Sequence, residues 1–332
     1  MTTETAIVHI GIVSYNESSD LPNCLHAIQA QTYPHYTVTI VDNDSQDGTC
    51  DWLAGCDIAH TLVRSSANIG FARAHNAIIA RLPLHEGSYY LALNPDATLA
   101  PDYIAQLVAA LQTQNADWGI GKLYQPDRRT IYAIGHAIRR DGYVTLIGHG
   151  LAGDDERVAH SRAVMGAPAS ACLYRARLIH ALAPDGKLFD EQMFLYHEDT
   201  DVDWRAVRYG LRAWYCAGAI AYHRGSQPAR PMRLHALSNR YVSVIKNATW
   251  RDLLLYNLPV LVLHLIAYLL LSPRAGVSLV RQTIRRIPHA LRNRSARRIS
   301  YAQIAHWFAW SRQQVTGQPS TLRDRFQHYR QR

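Results

Sequence analysis

The chain has 332 residues, 48% hydrophobic and 18% charged, which excludes a disordered protein and leaves room for one large or two modest domains with a sizeable core. Its net charge of +9 is uneven, because Ser272 to Arg332 hold 13 Arg, no Lys and one acidic residue, Asp324, on an otherwise weakly acidic chain. That distribution argues against a general nucleic-acid binder, whose basic residues spread over the folded surface, and points to an anionic partner for the basic stretch alone.

The first 120 residues alternate strand and helix patterns. Ala6–Val13 is an apolar run of strand length, and Leu21, Cys24, Leu25 and Ile28 follow at helical spacing, with Asp20 placed to cap and Pro22 in the first turn. Tyr36–Val41 predicts the next strand, then come a short helix, a strand near Thr61–Arg64 and a helix over Phe71–Leu82. Tyr89–Leu93 is a strand ended by Pro95, and Ile104, Leu107, Val108 and Leu111 repeat the helical stripe. This alternation predicts an α/β fold with a mostly parallel sheet and helices on both faces. From Trp118 the segments GIGKLY, TIYAIG and YVTLIG predict antiparallel hairpins, and GDDERVAHSR a loop. Strands over Ala169–Tyr174 and Ala213–Tyr222 flank a helix near Asp201–Tyr209, and the chain reads as helical after Arg230.

Three strands stop on polar clusters: SYNE (Ser14–Glu17), VDND (Val41–Asp44) and NPD (Asn94–Asp96). Each alone is ordinary turn chemistry. In a parallel sheet, however, carboxyl ends share one edge, so the clusters converge on one crevice. The residue types suit a nucleotide. A carboxylate at Asp42 accepts the imide N–H of uracil or thymine, and one at Asp96 suits a divalent cation (Mg²⁺ or Mn²⁺) bridging a diphosphate. Neither a G-x-x-x-x-G-K-[ST] loop nor a G-x-G-x-x-G after the first strand is present.

The ordered pieces IGIVSYNE, VDNDSQDGT, ANIGFARAHNAII, LALNPDAT, FDEQMFLYHEDTDVDWRAVRYG and AYHRGS resemble those of the inverting glycosyltransferases of family 2, over roughly Ile7 to Ser226. The look is closest to bacterial rhamnosyltransferase-like enzymes, where NPD replaces the acidic DxD triplet. Asn94 thus removes one negative charge from the metal site and weakens the expectation of strict metal dependence. The resemblance implies a GT-A, Rossmann-like fold. It also implies donor-binding roles for Tyr15, Glu17, Asp42, Asn68, Arg73, Asn94 and Asp96, metal contacts from Asp96 and His223, and Asp199 as catalytic base. The same residues have plainer readings: Tyr15 as packing, His223 as a satisfied buried histidine, Arg73 as a solvated helix face. HEDTDVDW crowds Glu198, Asp199, Asp201 and Asp203 into six residues. A helix N-terminus lowers their pKa values and mutual repulsion raises them, a balance that spacing leaves open. Arg205 reads as a structural partner of this cluster.

The expected organisation is a catalytic domain over 1–230, with a nucleotide-binding half (1–117) and an acceptor and catalytic half (118–230), then a basic helical C-terminal extension over 231–332. Leu253–Leu271 is 19 residues without formal charge, interrupted by Asn257, Pro259 and His264. A single span would separate the catalytic domain from cytosolic nucleotide sugars if the Arg-rich tail stayed cytosolic. An interfacial or re-entrant helical hairpin on anionic lipid fits better, with packing on the catalytic domain as the alternative. Arg240 and Lys246 are candidates for a phosphate of a lipid-linked acceptor, or for a solvated face.

Five cysteines (Cys24, Cys50, Cys56, Cys172, Cys216) form no CxxC pair and fit a reducing compartment, and MTTETAIVHIGIVSYN lacks the regions of a secretory signal. The expected location is cytoplasmic, peripheral on the inner face of the cell membrane. The expected activity is transfer of a sugar from a pyrimidine nucleotide donor (dTDP-rhamnose favoured, UDP-hexose possible) to a cell-envelope glycan or lipid-linked acceptor. Two other classes compete, a catalytically silent sugar-nucleotide-binding scaffold and a sugar nucleotidyltransferase. The second requires a Gly-rich basic loop after the first strand, where SYNESSD is acidic.

Overall fold

The apolar runs of the first half pair as a parallel sheet. Val8–Ser14 (β1) and Tyr36–Asp42 (β2) align from Val8 opposite Tyr36 to Ser14 opposite Asp42. Between them Leu21–Gln29 (α1) buries Leu21, Cys24, Leu25 and Ile28, roughly 2 kcal/mol for each large aliphatic side chain. Asp20 makes no capping bond, contrary to expectation; its carboxylate pairs instead with Arg224 at 2.9 Å and accepts from Ser19 Oγ. The computed structural model describes residues 6–139, 142–225, 230–294 and 299–308.

Thr49–Ala54 (α2), Thr61–Arg64 (β3), Gly70–Ile79 (α3), Tyr89–Leu93 (β4), Ala97–Leu99 (β5) and Tyr103–Thr113 (α4) complete the first half. The second half runs through Trp118–Tyr124 (β6), Ile131–Ala133 (β7), His136–Ile138 (β8), Val144–Leu146 (β9), Glu156–Ala159 (α5), Arg162–Val164 (β10) and Ala171–Arg175 (β11). Ala176–Leu182 (α6), Glu198–Tyr209 (α7) and Ala213–His223 (β12) follow. GDDERVAHSR, expected as a loop, forms α5, because the Asp155 side chain caps it by accepting from Arg157 N.

The main sheet is ordered β10-β12-β6-β11-β4-β1-β2-β3. β11 runs antiparallel to both β4 and β6, and β12 parallel to β6, so β12, β6, β4, β1, β2 and β3 point one way. Their carboxyl ends share one edge. β6 departs from the expected hairpin: it pairs in parallel with β12 along its length, and only its end meets β7. Its near-complete burial is the pattern of an interior strand covered on both faces. The expected antiparallel pairing is kept at the β6–β7 end and in β8–β9.

The C-terminal helices begin with Arg230–Asn247 (α8). Trp250–Asp252 (α9) runs through a π-helical turn, Leu253–Asn257, into Leu258–Leu271 (α10), one apolar helix of 22 residues that is long enough to cross a membrane by length and composition. Pro273–Arg292 (α11) doubles back against α10 and α8, and Tyr301–Ile304 (α12) follows. α8 buries Val242, Val244 and Ile245 in the main core, whereas no residue of α10 is buried. The expected helical continuation past 308 lies outside the described residues.

Candidate active site

The polar clusters after β1, β2 and β4 lie side by side, since Ser14 stands opposite Asp42 and Ile12 opposite Leu93. Asp42 is buried; its Oδ2 accepts from Ser45 N at 3.2 Å while Oδ1 has no partner among the described residues. Ser14 Oγ, Ser170 Oγ and His223 Nδ1, on the same edge, are also buried without a partner among the described residues. A buried polar atom left unpaired costs about 1–3 kcal/mol, so this row of four atoms is open to hydrogen bonds from a ligand at this edge. Tyr15 is 46% exposed beside this row. Glu17 is raised to about 7, first by burial and then by the carboxylates of Asp96 and Asp20.

Asn68 and Arg73 act on the frame. Asn68 Oδ1 accepts from Asn43 Nδ2 (2.9 Å) and Gly70 N (3.0 Å), tying the loop after β2 to the start of α3. Arg73 is largely exposed and pairs with Glu191, its Nε 3.3 Å from Oε2.

Asn94, Asp96 and His223 meet where β4 and β12 end. His223 Nε2 lies 3.1 Å from Asp96 Oδ1 and 3.2 Å from Asn94 Nδ2, and Asp96 Oδ2 accepts from Gly225 N. Burial alone would raise the Asp96 pKa, but the His223 hydrogen bond and the charges of His223 and Arg224 bring it below the usual carboxylate range. Among the described residues, no group of three or more His, Cys, Asp or Glu side chains is placed to hold a metal. The Asp96–His223 pair nevertheless fits two of a cation's ligands. Ligands at about 2.1 Å on adjacent octahedral positions stand about 3 Å apart, and Mg²⁺-type sites fill the rest with phosphate oxygens and water. Tyr132 stacks edge-on against His223 at 4.5 Å. Its hydroxyl is raised to about 12 by burial and then by Asp199 and Asp96, so it stands in the field of both carboxylates.

The four carboxylates of HEDTDVDW have four environments. Glu198 is buried, and burial with the Asp199 charge pushes its pKa well above the usual carboxylate range. Asp201 is fully buried between Lys246 (2.9 Å), Arg205 (2.9 Å) and Asn247 Nδ2 (2.7 Å). Asp203 is fully buried, accepting from Trp118 Nε1, Ala167 N and His136 Nδ1; burial outweighs these bonds and raises it to about 6. Gly166 makes this possible, since a Cβ there would overlap the Asp203 carboxyl group. Asp199 alone keeps partial exposure, its side chain 19% accessible, with Oδ1 accepting from Thr200 N (2.7 Å) and Oδ2 from Ala169 N (3.2 Å). Ala169 precedes β11 at the edge where Asn94 N bonds to Ser170 O, so Asp199 joins the same side of the sheet as Asn94.

The segment before α7 is held in a costly shape, with Phe194 (φ 59), Tyr196 (φ 73) and His197 (φ 71) in the left-handed region. Two flanks hold it. At α3, Ala72 N donates to Phe194 O, and a Cβ on Gly70 would lie 2.5 Å from Phe194 Cδ2. From α8, Asn239 Nδ2 donates to the carbonyls of Met193, Leu195 and Tyr196, and His235 Nε2 bonds Met193 O at 2.6 Å. Arg286 of α11 then fixes Asn239 Oδ1 at 2.5 Å. Lys246, a candidate for an acceptor phosphate or for a solvated face, is instead buried between Asp190 (2.6 Å) and Asp201. Arg240 is buried too, its Nε donating to Gly142 O and its guanidinium over the Tyr143 ring. Sequence reasoning missed Tyr132, His136 and Asn239. Each lies in a plain apolar or helical stretch with no local signal, and only the Tyr132 contact with His223 and the long-range hydrogen bonds of the other two reveal them.

Residues 9–147 match the model of Glycosyl transferase family 2. The chain is 24% identical over 269 residues to the N-acetylglucosaminyl-diphospho-decaprenol L-rhamnosyltransferase of Mycobacterium tuberculosis, covering 74% of this chain and 87% of that protein. Among solved structures it is similar to GalNAc-T7 with UDP, GalNAc and Mn²⁺ (TM-score 0.55, 14% identity, 74% of this chain and 48% of that one). It is similar also to the mannosyltransferase PcManGT of Pyrobaculum calidifontis with GDP-Man and Mn²⁺ (TM-score 0.52, 18% identity, 92% of this chain and 79% of that one). At these identities the two structures speak for the shared fold.

Proposed function

The chain carries a family 2 glycosyl transferase domain and is a glycosyltransferase, and from that premise we propose that it moves a hexose, L-rhamnose in first place, from a pyrimidine nucleotide diphosphate to a lipid-linked or cell-envelope glycan acceptor. Asp42 takes the pyrimidine imide N–H on its unpaired Oδ1, with Tyr15 and Glu17 beside base and ribose. Asn68 and Arg73 line the nucleotide side, and Asn94 lies by the ribose. Asp96 and His223 would hold a divalent cation, which when bound supplies charge neutralisation for the departing diphosphate. Asp199 takes the acceptor's hydroxyl proton. The acceptor oxygen forms its bond to the anomeric carbon as the bond to the phosphate oxygen breaks, and the electron pair leaves with the nucleotide diphosphate. Direct displacement of this kind inverts the anomeric configuration.

The observation that supports this reading is the edge-on contact of Tyr132 with His223 at 4.5 Å, with the charges of Asp96 and Asp199 both acting on the Tyr132 hydroxyl. Rhamnose is favoured by the likeness to the mycobacterial rhamnosyltransferase, whose name also specifies a diphosphate-linked lipid acceptor. Membrane attachment draws on the apolar helix Trp250–Leu271, which exposes Leu254, Leu255, Leu263, Leu270 and Leu271, and on α11 with its exposed Arg274, Arg281, Arg285 and Arg292. Flotation with anionic but not neutral phospholipid vesicles is the expected behaviour, and equal recovery in the soluble fraction with both counts against attachment. The donor test is a thermal-shift screen of dTDP-, UDP- and GDP-sugars with and without Mn²⁺, because a ligand that binds only the native state raises Tm. Stabilisation by the dTDP-sugar supports the assignment; stabilisation by GDP-sugars alone overturns the role of Asp42.

A further inference from the structure

Behind Asp199 stands a second acid–imidazole pair that the proposed reaction does not yet use. His136, on β8, gives its Nδ1 to Asp203 Oδ2 at 2.7 Å and presents Nε2 to Asp199 Oδ2 at 3.9 Å. The imidazole is 4% exposed, and Asp203 is locked by Trp118 and Ala167, so the ring has one orientation. The Nε2–Oδ2 distance is too long for a direct hydrogen bond and short enough for strong charge coupling in a buried setting.

We propose that His136 is a positioning residue for Asp199, oriented by Asp203 so that its Nε2 edge presents positive charge to the carboxylate that accepts the acceptor's proton. This rests on the reading of Asp199 as the base. An opposite charge within about 4–6 Å of a carboxylate favours its ionised form. Burial disfavours a charged His136, but Asp199 and Asp203 outweigh it and raise its pKa. Arg240 is a further cation nearby, its charge acting on His197. His197 is neutral, lowered by burial to about 4, and Cys172 and Tyr174 on β11 stay protonated. The turn Ala305–Phe308 also packs on β8, with its His306 exposed against Trp307.

The test compares pH–rate profiles of the full chain, native and His136→Asn, with His136→Gln as a second variant. An asparagine amide keeps a donor for Asp203 and loses Nε2, whereas glutamine reaches the Nε2 position without charge. Expected for both is an acid limb moved to higher pH, with turnover at pH 6 relative to pH 9 down about tenfold against native, and unchanged donor affinity. A loss equal at every pH, or an unmoved limb, overturns the inference. Asp199→Asn separates the two claims: retained turnover there defeats the base itself, whereas a dead Asp199→Asn with an unshifted His136→Asn profile defeats only the role of His136. Should both His136 variants fail to fold, ¹⁵N-histidine spectra of native and Asp199→Asn protein decide. One histidine titrating at lower pH in Asp199→Asn is expected, and no histidine changing its titration overturns the inference.

Discussion

Lys246→Met is expected to destabilise the protein by about 3 kcal/mol. The ammonium lies 2.6 Å from Asp190 and 2.9 Å from Asp201, with all three side chains at most 7% exposed. Removing one member of a buried pair leaves uncompensated charge, which costs about 3–5 kcal/mol. Here the lower end applies, because Asp201 keeps Arg205 and Asn247 and Asp190 keeps His289. At about 2 °C per kcal/mol for a chain of this size, Tm falls by about 6 °C. Urea unfolding at pH 7 gives the same quantity independently. Adding Asp190→Asn to Lys246→Met is expected to recover part of the loss, since it removes one stranded charge. A loss under about 1 kcal/mol would mean that the cluster is solvated and that α8 is not anchored through it.

Two further outcomes follow from the same region. Burial would raise Asp190, but Lys246 and His289 outweigh it and hold it at about 2, below its unfolded value of about 3.9. Its contribution of roughly 2–3 kcal/mol is therefore fully present above pH 4 and is lost as pH falls through 2, so Lys246→Met should flatten the acid side of a stability–pH curve. Gly70→Ala places a Cβ at a φ of +79° and against Phe194, and is expected to cost about 2 kcal/mol or more while lowering turnover more than donor affinity. Calorimetry with donor titration checks it; native stability and turnover would mean that the segment before α7 is not held at α3.

The sequence made the sheet and its edge legible because both depend on local patterns. Apolar runs of strand length, helical stripes and polar strand ends put Asp42, Asn94 and Asp96 on one line before any coordinate was known. HEDTDVDW was not legible in the same way. The balance between helix dipole and repulsion was undecidable from spacing, since the deciding partners come from afar. Lys246 and Asn247 hold Asp201, and Trp118 and His136 hold Asp203. For the same reason Lys246 read as a phosphate contact or a solvated face, when its carboxylates lie 45 and 56 residues away. The role of the C-terminal helices in shaping the catalytic segment was equally hidden, because the amide of Asn239 meets the carbonyls of 193–196 only in three dimensions.

Donor binding and turnover measured side by side on Asp199→Asn bear most directly on the shared cleft. Binding of the nucleotide sugar within about twofold of native, with turnover down a thousandfold or more, is the expected pair of results for loss of a base that never touches the nucleotide. Turnover near the native rate, or donor affinity lost together with it, would contradict an arrangement in which one carboxylate receives the acceptor's proton while others grip the leaving group.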